Sequence, residues 1–194
     1  MRQNTPLLSL FTALILCSML IQPSQAAPKQ PQQISFFGMN TYITGLERIA
    51  KDGDDGIAQL VGAGRTAGVA WAREELSWAN IEPGYKASWN WPYFDKRINQ
   101  LANAGYGIVG MLLTTPEWAR VPNCKARAQA VGTYEYWCPP ARVRDYADFV
   151  WTMVERYDGD GIMDAPGSPR IAVWQIWNEP SAPITWLGSP CLLY

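Results

Sequence analysis

The sequence predicts an α/β protein, a (β/α)8 TIM barrel truncated after about four βα units. Three observations carry that reading. Apolar, strand-like runs alternate with segments of helical spacing, an order that demands a parallel sheet. The turn after the first run, Asn40-Thr41-Tyr42-Ile43-Thr44-Gly45, lacks the glycines of a doubly wound dinucleotide-binding sheet. Polar and aromatic side chains gather just past the ends of several runs, where barrels keep their chemistry.

Each element has its own signal. Ile34 to Tyr42 is rich in aromatic and branched residues, as strands are. Asp54 is placed to cap a helix with Ile57, Leu60, Val61 and Ala67 at helical spacing, and Gly68 ends it. Val69 to Leu76 reads as the second strand. Pro92 opens a helix that presents Phe94, Ile98, Leu101 and Ala102 on one face, closed by Gly105. Tyr106 to Leu113 is nearly all apolar, as a strand buried on both faces should be. Thr114 to Pro140 reads as irregular chain. From Val143 through Tyr146, Phe149, Val150, Met153 and Val154 to Tyr157 the apolar residues keep helical spacing. A polar turn, Asp158 to Pro169, then leads into the fourth strand, Ile171 to Trp177.

Composition narrows the function. Met1 and Arg2 precede Leu7 to Ile21, an apolar run shorter than the roughly 20 residues that span a bilayer. Pro23-Ser24-Gln25-Ala26 adds a small-residue exit, so residues 1–26 read as a secretory signal cleaved after Ala26. An uncleaved anchor is the alternative. A disordered Pro/Gln segment, 27–33, follows, and 34–194 is the barrel portion. The expected location is secreted or extracytoplasmic, with no membrane association after cleavage. Sixteen basic and 17 acidic residues nearly balance, so neither nucleic acid nor an anionic surface is indicated as partner. With no histidine, Ser-His-Asp and Cys-His catalysis and histidine-containing zinc sites are excluded. Catalysis, if present, must rest on carboxylates. Ten tryptophans and nine tyrosines offer flat faces that suit sugar rings.

Cys124 and Cys138 lie in one polar, aromatic stretch, and an exported protein meets oxidant. A disulfide between them closes a loop of about 15 residues, worth about 3 kcal/mol. Two free thiols are the alternative. Cys17 leaves with the signal, and Cys191 is unpaired.

Trp177-Asn178-Glu179-Pro180 is the segment with the most chemistry in it. Proline stops the strand, leaving a carboxylate beside an amide and an indole at its end. Strict alternation would put Asn178 and Glu179 on opposite faces, so a shared cleft requires an irregular strand end. A glutamate that merely caps a loop is the plain alternative. Glu74 and Glu75, adjacent on a strand, point to opposite faces and cannot flank one bond. Asp158, Asp160 and Asp164 resemble a calcium loop, but Ile162 occupies a ligand position and no glutamate closes it. A solvated turn is the preferred reading, so no metal is expected.

Asn178-Glu179 after the fourth strand and Arg73 at the end of the second resemble the clan A glycoside hydrolases. Thr115-Pro116-Glu117-Trp118-Ala119 is similar to family 39 of those enzymes and its bacterial relatives. The resemblance covers Phe37 to Trp186. It implies retaining hydrolysis of O-glycosidic bonds in a β-linked oligo- or polysaccharide, without a cofactor. Glu179 would be the general acid/base, and Asn178 would bind the 2-hydroxyl of the sugar beside the scissile bond. Arg73 would sit near the nucleophile and keep it ionised. Pairing of Arg73 with Glu75 alone, its same-face neighbour, is the structural alternative. Asn40, Trp78, Trp118, Trp137 and Trp177 are candidates for sugar contact, each tryptophan alternatively belonging to the core.

A retaining mechanism needs a second carboxylate about 5 Å from the first. The resemblance places it at the end of strand seven, and a whole barrel takes about 250 residues. The expectation is therefore an N-terminal half, inactive by itself and prone to self-association. A non-catalytic, carbohydrate-binding half-barrel is the alternative.

Overall fold

In the computed structural model, residues 36–45 and 53–188 are described. The signal at 1–26, the segment 27–33 and Cys191 lie outside them. Four strands pair in parallel: β1 (Gly38–Asn40), β2 (Trp71–Ser77), β3 (Gly107–Leu113) and β4 (Val173–Ile176). Helices α1 (Gly53–Thr66), α2 (Trp78–Ile81), α3 (Trp91–Asn103), α4 (Cys124–Val131) and α5 (Val143–Arg156) connect them, with 3-10 turns at Glu117–Ala119 and Glu135–Trp137.

The strand order is β1-β2-β3-β4 with no reversal. A doubly wound sheet reverses at a switch point and carries helices on both faces. Here α1, α3 and α5 share one face. Ala72 and Leu76 of β2 and Ile108 and Leu112 of β3 join Ile57 and Val61 of α1, Phe94, Ile98 and Leu101 of α3, and Phe149 and Met153 of α5 in a single core. The opposite face carries Arg73, Glu75, Val109 and Gln175, which are paired across the sheet and only partly buried. This is an arc of a (β/α) barrel, its inner face holding the polar residues.

Several elements differ from the sequence reading in informative ways. β1 is confined to Gly38–Asn40, because the chain turns left-handed at Tyr42 (φ 52°) and leaves the ladder. Leu60 and Val143 are 56% and 63% exposed, so the buried stripes of α1 and α5 are narrower than the apolar spacing suggested. Helix α4 lies within the stretch expected to be irregular. Its buried residues are Cys124 and Ala128, one turn apart, too small a stripe to register as amphipathic. Asp54 sits in the first turn of α1 and pairs with Lys96 and, at 2.8 Å, with Arg97 of α3. Gly68 and Gly105 follow α1 and α3 in left-handed geometry, as expected of helix-terminating glycines. Among the described residues no helix is long and apolar enough to cross a membrane.

Glu74 stitches the first loop to the sheet. It is fully buried on the helix side of β2. Its carboxylate accepts from the hydroxyl of Thr41, the amide of Ile43 (3.3 Å), and the amide (3.0 Å) and hydroxyl (2.8 Å) of Thr44. Burial pushes the carboxyl above its ordinary 4.5, although these donors pull the other way. Folding therefore takes up a proton in the window above pH 4.5. The associated stability is fully present below that pH and is lost as pH rises through the folded value. Glu74→Gln should remove this pH dependence. It also turns one oxygen into a donor facing donors, at a cost of about 1–3 kcal/mol. Melting curves of both proteins between pH 4 and 8 check this: the deficit of Glu74→Gln should be largest at the acid end and shrink as pH rises.

Candidate active site

The parallel register brings side chains from all four strands to one place. Arg73 lies near the middle of β2, its partners Asn40 and Val109 level with it on either side. Its Nε donates to Gln175 Oε1 of β4 at 2.9 Å, and Nη1 to Asn40 Oδ1 of β1 at 3.1 Å. Nη2 donates to Asn178 Oδ1 at 3.0 Å and meets Met111 Sδ of β3 at 2.8 Å. Arg73, Asn40 and Asn178, three of the site residues expected from sequence, are thus assembled into one network. No ion pair joins Arg73 to Glu75 among the described residues. Burial nonetheless raises the Glu75 carboxyl above its ordinary range, with the Arg73 charge pulling it down and Glu74 pushing it up.

Gln175 is a member of this network that the sequence reading missed. Besides accepting from Arg73, its Nε2 donates to the carbonyl of Trp177 at 2.8 Å and contacts Met111 Sδ at 3.4 Å. The signal was available: a lone amide within an otherwise apolar strand, two residues before the motif, must share a face with whatever polar group satisfies it.

Past β4 the backbone is irregular. Trp177 (φ 61°) and Glu179 (φ 46°) are both left-handed, which breaks strict alternation at Asn178-Glu179. Such geometry costs about 1–3 kcal/mol per residue and persists where surrounding bonds enforce it. Those bonds are present. The Glu179 carbonyl accepts from Ala182 N (2.9 Å) and Thr185 Oγ1 (2.8 Å), and the Trp177 indole donates to Thr185 O at 2.7 Å. The Glu179 side chain is exposed, and its carboxylate has no hydrogen-bond partner among the described residues.

The tryptophans divide. Trp78 and Trp177 are 0% and 1% exposed, which removes them as sugar-stacking faces. Trp78 opens helix α2 directly after β2, stacks on Phe149 and donates its indole N–H to Glu82, which places it in the helical layer. Trp177 packs with Met111, Leu113 and Trp186 because its left-handed backbone folds the indole back over the sheet. Trp118 is partly buried edge-on against Trp78, its indole donating to Glu82 O at 2.9 Å. Trp137 is partly buried, 6.2 Å from the Trp177 ring.

Cys124 and Cys138 are joined, with Cα atoms 6.0 Å apart. The bond fastens α4 to the turn Glu135–Trp137. Asp158, Asp160 and Asp164 form a carboxylate group that could hold a cation, but it lies in the turn before β4, at the opposite end of the strand from Glu179. One oxygen of each already accepts a backbone amide of the same turn.

Two measurements check this geometry. Arg73→Met leaves the Asn40 and Asn178 carbonyls without their donor and should lower stability by about 1–3 kcal/mol in urea titration. Arg73→Lys should not restore it, since an ammonium cannot fork to three separated acceptors. A non-reduced digest should yield the Cys124–Cys138 peptide pair by mass spectrometry, and reduction should cost about 3 kcal/mol.

No protein-family model matches the chain, and no curated protein matches it significantly. Among solved structures, the endo-1,4-beta-mannanase from Rhizomucor miehei is similar over 75% of this chain, at 16% identity and a TM-score of 0.45. The chain spans 44% of the length of that enzyme's chain.

Proposed function

We propose that this chain builds the acid/base side of a secreted glycoside hydrolase that cleaves β-linked oligo- or polysaccharides with retention. The observation that carries the reading is the Arg73 network. It gathers Asn40 from β1, Gln175 from β4 and Asn178 from the segment just past β4, and the residue after Asn178 is a carboxylate, Glu179, that has no hydrogen-bond partner among the described residues.

In this reading each group has one task. Glu179 gives its proton to the glycosidic oxygen as the bond breaks, then takes a proton from the incoming water. Asn178 has its carbonyl oxygen engaged by Arg73, so its NH2 group is left to donate to a sugar hydroxyl. Arg73 has only neutral hydrogen-bond acceptors among the described residues, and its charge would favour ionisation of a carboxylate arriving nearby. A retaining mechanism requires such a second carboxylate, the nucleophile, to be brought about 5 Å from Glu179. The Cys124–Cys138 bond fits an oxidising compartment.

The test is Glu179→Gln in the full polypeptide carrying both carboxylates. Turnover of natural glycans should fall by about 10²- to 10⁴-fold. An aryl glycoside whose leaving group needs no proton should lose less in the bond-breaking step. Azide, which attacks without deprotonation, should restore turnover. Equal losses on both substrates without azide rescue would place the acid elsewhere.

A further inference from the structure

The loop that carries the disulfide also carries an aromatic pair for which the reading above has no role. Tyr134 and Tyr136 stack with ring centres 5.0 Å apart and planes 11° from parallel. Tyr134 is 66% exposed, a large share for a ring whose partner supports its other side. The pair continues inward. Tyr136 meets Trp137 at 5.1 Å, Trp137 meets Trp177 at 6.2 Å, and Trp177 precedes Asn178-Glu179. A row of rings thus runs from solvent to the strand end that bears the proposed acid.

This loop is held in place at several points. Thr115 N donates to Tyr136 O at 2.8 Å, tying it to the end of β3. Thr133 Oγ1 donates to Ile184 O at 2.7 Å, and Leu187 N donates to Trp137 O at 3.1 Å, tying it to the segment that follows Glu179. The charge beside Tyr134 is also accounted for, since Glu135 lies 3.5 Å from Arg120 and 3.4 Å from Lys125. The result is a flat, uncharged, fixed face at the same end of the strands as Glu179. A β-linked pyranose presents an apolar face of C–H groups with hydroxyls around the rim, which matches a ring that is apolar on its face and polar at its edge.

We propose that Tyr134, braced by Tyr136, is a glycan-binding platform: an outer subsite that stacks on a neutral sugar ring at a distance from the bond cleaved. The inference rests on the glycosidase reading and assigns it a subsite. Rigid presentation matters because an ordered ring loses little conformational freedom when a sugar settles on it.

The experiment is calorimetric titration of the chain with cellohexaose, mannohexaose and xylohexaose in turn. At least one hexasaccharide should bind. Tyr134→Ala should weaken that binding about tenfold, and Tyr134→Leu, which keeps bulk without a flat ring, should weaken it comparably. Tyr134→Phe should bind within about twofold of the wild type. Because the ring is exposed, all three variants should melt with the wild type. If the wild type binds a hexasaccharide and Tyr134→Ala and Tyr134→Leu bind it equally well, the platform is overturned while the glycosidase reading stands. If Tyr134→Phe loses as much as Tyr134→Ala, ring stacking is overturned. If the wild type binds none of the three, the platform is overturned, and the glycosidase reading is decided by the Glu179→Gln measurement.

Discussion

The guanidinium of Arg73 reaches from the second strand to side chains on each of the other three, and the arrangement of the candidate site follows from that reach. A planar fork with five N–H donors can satisfy acceptors in several directions, and here it bonds Asn40, Gln175 and Asn178 together. Hydrogen bonds to a charged donor are worth about 1.5–3 kcal/mol each when partly shielded from water. The network therefore links side chains of all four strands on their inner face and engages the Asn178 carbonyl, so that its NH2 group remains available. Gln175 passes the constraint on, since the same amide that accepts from Arg73 donates to the Trp177 carbonyl.

That link explains how a left-handed strand end is maintained. Trp177 and Glu179 would relax toward extended geometry if only local preference acted on them. The Trp177 carbonyl is held by Gln175, its indole by Thr185, and the Glu179 carbonyl by Ala182 and Thr185. The disulfide-bearing loop closes over this segment from the other side, bonded to Ile184 and Leu187. Backbone strain beside an exposed carboxylate is the pattern expected where a side chain is held ready for a ligand. Glu74 performs a separate task on the other face of β2, where a buried carboxylate organises the loop after β1 through four donors. Adjacent glutamates on one strand thus serve opposite layers: Glu74 the helical core, and Glu75 the inner face with Arg73.

Local pattern made much of this legible in the sequence. Alternating strand and helix signals determined the parallel sheet, because a parallel connection needs a crossover and the helices supply it. The terminators worked for the same local reason: Gly68 and Gly105 stand where only a left-handed turn ends a helix cheaply. Strand alternation separated Glu74 from Glu75, and the motifs singled out Arg73, Asn40 and Asn178, although Arg73 lies near the middle of β2 rather than at its end.

What only the tertiary structure decided were the properties that depend on long-range packing. Nothing in the composition of Trp78, Trp118, Trp137, Trp177 and Tyr134 ranks them by exposure. The first and fourth are buried because helix α5 and the segment around Trp186 close over them, while Tyr134 is left outside by the path of its loop. The sequence could mark Gln175 as a lone amide in an apolar strand but could not name its partner, since Arg73 reaches it from β2, two strands away in the sheet and more than a hundred residues earlier. Helix α4 escaped notice because its two small buried residues leave no amphipathic stripe, so its helical state is visible only once a disulfide and a neighbouring loop hold it. Periodicity is a local property and can be read one turn at a time, whereas burial and partnership are fixed by which segments meet.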